Sequence, residues 1–107
     1  MDTQVKQPTA TDIFETLIEH QGELRRLGVR RLGLFGSFVR GEQTPDSDID
    51  FLVEFETGQK TFDNYMDLIF LLEDLLGRKV DVGTPESLNP YVKPYVAREV
   101  QYVSVAA

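Results

Sequence analysis

Ile13, Phe14, Leu17, Ile18, Leu24 and Leu27 recur at helical spacing, with Glu15, Glu19, Glu23 and Arg26 opposite them, which predicts an amphipathic helix from Asp12 to about Leu27. Asp12 with Glu15 resembles a capping pair at its start, and Gly28 suits its end. Val29 to Phe35, rich in branched and aromatic residues, reads as a strand that stops at Gly36, and Gly36 to Pro45 reads as a polar connector. Asp48 to Phe55 alternates as a second strand, with Ile49, Phe51 and Val53 on one face and Asp48, Asp50 and Leu52 on the other. Thr61 caps a helix that runs to Leu76 and is stopped by Gly77. Arg78 to Val82 gives a third short strand, Pro85 opens a last helical region to about Glu99, and Val100 to Val105 forms an edge strand. Residues 1 to about 10 form a loose lead-in, and the 107 residues predict a single domain.

The long helix is apolar around most of its circumference. Phe62, Tyr65, Met66, Ile69, Leu72 and Leu76 make one stripe, widened by Leu68, Leu71 and Leu75, and Asp63, Asp67 and Asp74 mark what remains polar. Phe70 falls among those acids, as an exposed aromatic and interface anchor unless the C-terminal segment covers it. Tyr91, Tyr95 and Tyr102 are expected to pack inside, and His20 to lie in solvent.

Charge narrows the function classes. Eighteen acidic against 11 basic side chains give a net charge of −7, which repels a nucleic-acid backbone, so no direct nucleic-acid binding is expected. The longest apolar run, Leu68 to Leu72, is far below the roughly 20 residues of a membrane span. The absence of cysteine removes disulfides, thiol nucleophiles and Cys-ligated zinc, and points to a cytoplasmic setting. Arg25, Arg26, Arg30, Arg31 and Arg40 cluster, the first four around a helix C-terminus where arginine is electrostatically favoured. Glu42 to Glu56 is the reverse, with six acids and no base.

Asp48 and Asp50, two apart on a strand, project from one face with their bases about 6 to 7 Å apart. Like charges that close call for a cation, and paired carboxylates on a strand suit magnesium, which keeps waters and takes substrate phosphates as further ligands. Asp81 in Val80-Asp81-Val82 supplies a third carboxylate from another strand, and three carboxylates suit two metal ions. Upstream, Gly36-Ser37 ends a strand without a side chain, so the backbone N–H groups of the turn and the Ser37 hydroxyl are suited to approach a triphosphate. Rival motifs fail on their letters. Gly36 to Gly41 has P-loop spacing but continues with Glu42 and Gln43, and Asp46, Asp48 and Asp50 imitate an EF-hand whose sixth and twelfth positions are Phe51 and Thr57. The remaining competitor is a solvated Asp46-Ser47-Asp48 turn with Asp50 as a surface residue, although aspartate is disfavoured inside strands.

The run Gly36-Ser37-Phe38-Val39-Arg40-Gly41, followed by Ser47-Asp48-Ile49-Asp50-Phe51-Leu52-Val53, resembles the signature of the polymerase-beta-like nucleotidyltransferase superfamily, and more narrowly the minimal nucleotidyltransferases, or MNT proteins. The likeness covers nearly the whole chain. It implies an α/β (α+β) fold, a small mixed β-sheet flanked by helices, in which Asp48, Asp50 and Asp81 are catalytic and hold two Mg2+ ions while Gly36 and Ser37 hold the phosphates of ATP. Arg40 either steadies the turn or a phosphate, or pairs with Asp46 or Asp48. Such enzymes transfer a nucleoside monophosphate to a hydroxyl and release pyrophosphate. Many MNT proteins are antitoxins of a HEPN ribonuclease toxin, which implies a hetero-oligomer and AMP transfer to a toxin tyrosine. The alternatives are a non-catalytic antitoxin acting by occlusion and a transferase for a small molecule.

Overall fold

The computed structural model describes residues 8–105. Most of the expected lead-in lies outside that range, and its last residues already start the first helix. Helix α1 is Ala10–Glu19, capped by Thr9, whose hydroxyl accepts from Asp12 N while the Asp12 carboxylate takes Thr9 N–H at 2.9 Å. The capping box therefore sits one turn earlier than the Asp12–Glu15 pairing suggests, because Thr9 is the extended residue that can reach back. The single expected helix is broken at His20, and α2 resumes over Gln21–Arg26. Gly22, a poor helix former, lies beside the break. His20 is half-buried, its Nδ1 3.0 Å from Glu23 Oε1, instead of free in solvent.

Strand β1 (Val29–Phe35) matches expectation, but the polar connector after it contains a one-turn helix, α3 (Ser37–Arg40), anchored by buried Phe38. One turn is too short to show periodicity. Strand β2 is Ile49–Phe55, α4 is Phe62–Leu76 with Thr61 accepting from Asn64 N, and Gly77 ends it in the left-handed region at φ +64°. Strand β3 is Val80–Gly83. The expected continuous helix from Pro85 is instead a 3-10 turn over Pro85–Ser87 and a separate α5 over Lys93–Glu99, since Pro90 biases the residue before it out of the helical region. Strand β4 is Gln101–Ser104.

The sheet runs β3-β2-β1-β4, with β2 and β3 parallel and the other pairs antiparallel, giving the mixed sheet that was expected. One face carries Leu32, Leu34, Ile49, Phe51, Val53, Val82 and Val103 against Ile13, Leu17, Leu24, Leu68 and Leu72 of the helices. Leu52 and Val96 of α5 are buried apart from that cluster, on the other face. The same face bears Asp50 and Asp81, so strand alternation separates the core from the acids. The described residues contain no helix long and apolar enough to cross a membrane.

Several aromatics depart from expectation. Phe70 is 59% exposed as one alternative held, but Tyr91 (86%) and Tyr95 (66%) are exposed instead of packed, and Phe62 stands in solvent although the stripe includes it. Tyr91 and Tyr95 belong to the chain around the start of α5, which turns only Val96 inward. Tyr102 does pack, with Arg31 stacked 3.7 Å over its ring.

Candidate active site

Asp50 is the register partner of Phe35 on β1 and of Asp81 on β3, so the two aspartates lie side by side on adjacent parallel strands. Asp48 stands in the segment entering β2, exposed, as is Asp81, while Asp50 is half-buried. No described residue donates a hydrogen bond or an ion pair to any of the three. Burial, then the charges of Asp81 and Asp48, push the Asp50 carboxyl up to about 6 from an ordinary 3.8; Arg40 opposes this in part and Glu99 adds to it.

Gly36 shows why the β1 turn needs glycine. Its backbone, at φ +81° and ψ −154°, lies in a region essentially reserved for glycine, and a Cβ there would run into the Asp50 carboxylate. Gly36 thus makes room for Asp50. Its N–H is not free for a phosphate, because Glu99 Oε2 accepts it at 2.6 Å. Ser37, half-buried, opens α3 one residue later. Arg40 pairs with neither Asp46 nor Asp48. Its Nε donates to Glu42 at 2.9 Å and its Nη1 to Glu99 at 3.0 and 3.2 Å, which ties it to the turn.

Two residues of this neighbourhood carried no sequence signal. Glu99 reaches the turn from α5, 63 residues away. Arg78 donates from Nη1 to Thr44 O at 3.2 Å and Ser47 O at 3.1 Å, and so holds the loop that delivers Asp48. The basic cluster, by contrast, is largely structural: Arg25 donates to Val105 O, and Arg30 and Arg31 both donate to Glu54. A cleft of about 360 Å³ lined by Lys60, Thr61, Phe62, Tyr65, Thr84 and Ser87 lies toward the other end of β3 from Asp81 and contains none of the acids.

Among the described residues, no three histidine or acidic side chains close tightly enough to hold a metal unaided. The donor set nevertheless fits a hard divalent ion. Asp81 and Asp48 raise the ionisation cost of Asp50, which an ion completed by water and phosphate oxygens would relieve.

The nucleotidyltransferase domain model matches residues 17–103. The chain belongs to the nucleotidyltransferase domain family. It is 45% identical over 96 residues to the protein adenylyltransferase MntA of Thermococcus cleftensis, covering 89% of this chain and 96% of that protein. A Methanocaldococcus jannaschii protein provisionally named protein adenylyltransferase MJ1379 is also 45% identical, over 98 residues, covering 89% of this chain and 98% of the relative. Among solved structures, one provisionally described as a minimal nucleotidyltransferase superposes with a TM-score of 0.67 at 38% identity, over 81% of this chain and 92% of that one. A toxin-antitoxin structure with AMP-PNP shares the fold at a TM-score of 0.58 and 22% identity, over 77% of this chain and 70% of that one. The resemblance read from Gly36-Ser37 and Asp48-x-Asp50 is therefore a family relationship, and the chain is a nucleotidyltransferase.

Proposed function

We propose that this nucleotidyltransferase is an antitoxin that transfers AMP from ATP to a tyrosine hydroxyl of a HEPN ribonuclease toxin, with Asp48, Asp50 and Asp81 as its catalytic carboxylates. The supporting observation is the pairing of Asp50 with Asp81 across two parallel strands, beside the Gly36-Ser37 turn, with no cationic side chain among the described residues hydrogen-bonded to either. The MntA relative, named a protein adenylyltransferase, favours a protein acceptor over a small molecule. Exposed Phe70, on the acidic side of α4, supplies an anchor for such a partner.

In this reaction the tyrosine oxygen forms a bond to the α-phosphorus of ATP, the bond from that phosphorus to the bridging oxygen breaks, and pyrophosphate leaves. The phenolic proton passes to a carboxylate of the trio, Asp50 or Asp81. Asp48, Asp50 and Asp81 would hold Mg2+, which when bound neutralises charge on the triphosphate and acidifies the attacking hydroxyl. Ser37 Oγ and the first N–H groups of α3 would hold the phosphates, and Arg40 steadies the turn through Glu42 and Glu99. Positioning and electrostatics carry the rate.

The test incubates the chain with labelled ATP, magnesium and the co-expressed toxin. Label on a toxin tyrosine, lost in Asp50→Asn, supports the proposal. Toxin neutralisation that survives Asp48→Asn with Asp50→Asn, without label, selects occlusion instead.

A further inference from the structure

We propose that Glu99 is a positioning residue, a carboxylate clamp that holds both ends of the Gly36–Arg40 turn and thereby aligns Ser37 and Asp50; only the kinetic arm of its test rests on the transferase reading above. Strands β1 and β4 pair from Arg31↔Ser104 to Leu34↔Gln101, and two further steps of that ladder would set Gly36 opposite Glu99. The backbone cannot take those steps. Glu99 is the last residue of α5, and Val100 N still closes on Val96 O at 2.9 Å, so no ladder carbonyl is offered to Gly36. A buried backbone donor needs an acceptor, and the Glu99 side chain provides it at 2.6 Å.

The same carboxylate accepts from Arg40 Nη1 at 3.0 and 3.2 Å, so it grips α3 at the residue that precedes it and the residue that closes it. The turn needs such a grip because it hinges on Gly36, whose backbone freedom is the widest of any residue. Asp50 rests against the Gly36 Cα, and Ser37 follows directly, so a shift of Gly36 displaces both. Glu99 approaches from the β4 side, whereas Asp50 and Asp81 lie on β2 and β3. Its hydrogen bonds go to the turn and to none of the three aspartates, and its charge is the weakest of the contributions at Asp50, so it acts chiefly through the turn.

What the clamp requires of residue 99 is an acceptor on a long side chain, and the charge is secondary. The full chain is prepared as wild type, Glu99→Gln, Glu99→Ala and Glu99→Met, and hydrogen exchange at the Gly36 amide is followed by NMR beside the kinetics of AMP transfer to the toxin. Glu99→Gln keeps both within about 3-fold of wild type. Glu99→Ala and Glu99→Met speed Gly36 exchange by about 10-fold or more and lower kcat by about 10- to 100-fold, with the KM for ATP within about 3-fold. Unchanged Gly36 exchange in the Ala and Met variants overturns the proposal. So does a Gln variant as impaired as Ala, which would assign the effect to charge, or failure of both Ala and Met to fold, which would assign it to the fold. If wild type transfers no AMP, the transferase reading fails while Gly36 exchange still decides the clamp.

Discussion

Asp50 and Glu54 lie four residues apart on the same face of β2, yet their surroundings are opposite. Arg31 and Arg30 both donate to Glu54, with Arg31 Nε at 2.8 Å, and the Arg31 hydrogen bond leads in holding this carboxyl below its ordinary 4.5. Asp50 has the acids Asp81 and Asp48 nearby and is pushed up to about 6, first by burial. The fold thus neutralises one carboxylate internally and, among the described residues, gives the other no hydrogen-bonded cation. A carboxylate served by its own chain's cations is structural, and one kept among like charges costs stability that only a bound cation recovers.

The sharpest way to break this contrast is to remove each charge in turn and measure AMP transfer. Asp50→Asn lowers kcat by about 10³-fold or more, since several kcal/mol of transition-state charge stabilisation depend on what this carboxylate holds. Glu54→Gln stays within about 3-fold of wild type. Equal losses in the two variants would erase the distinction.

Gly36→Ala comes next, and its effect is on stability as well as activity. It combines a side chain at φ +81° with a collision against the Asp50 carboxylate, so it costs about 2 to 4 kcal/mol in urea denaturation. Pairing it with Asp50→Gly, which removes the obstructing carboxylate, recovers the collision part only; full additivity of the two changes would show that the glycine serves backbone conformation alone.

Glu54→Gln is expected to destabilise by about 1 to 2 kcal/mol at neutral pH, the usual range for hydrogen bonds to charged groups with partly exposed partners. Glu54 has a depressed folded value, so its contribution is present above about pH 4.5 and lost as pH falls through that lower value. The wild-type and variant denaturation curves should therefore converge in acid.

The smallest expected effect has the opposite sign. Asp50 binds its proton more tightly in the folded chain than in the unfolded one, so without divalent cation its contribution is fully present below about pH 3.8 and lost as pH rises through about 6. Asp50→Asn should then stabilise the metal-free protein at pH 7.5 by about 1 to 2 kcal/mol, after allowance for solvent screening at this open site, and by little at pH 3.5. A variant less stable than wild type at pH 7.5 would mean that Asp50 is paired after all.

The parts of this architecture that were legible from residue pattern are those written in local periodicity. Val29 to Phe35 and Phe62 to Leu76 carry clear spacing with stop signals at Gly36 and Gly77, and both elements have those bounds. Alternation along Asp48 to Phe55 placed Asp50 and Leu52 away from the core face, as found. Misreadings fell where an element is too short for a period or is set by long-range contacts. The α3 turn is one such case, the His20 break another, and the exposure of Tyr91 and Tyr95 follows from how α5 docks on the sheet.

For the candidate site, the grouping of its residues was legible and their mechanical support was not. Asp48, Asp50, Gly36 and Ser37 lie within 15 consecutive residues, so their grouping depends on local chain geometry that spacing reports. Asp81 enters from β3, and its place beside Asp50 is a matter of register between parallel strands that no local pattern encodes. Glu99 and Arg78 arrive from 63 and 31 to 34 residues away to hold the turn and the loop. The amino-acid sequence by itself determined which carboxylate and hydroxyl groups are on offer at the candidate site, because functional-group chemistry is a property of each residue. Only the tertiary structure decided which carboxylates stay unpaired, because that depends on where cations from distant segments come to rest.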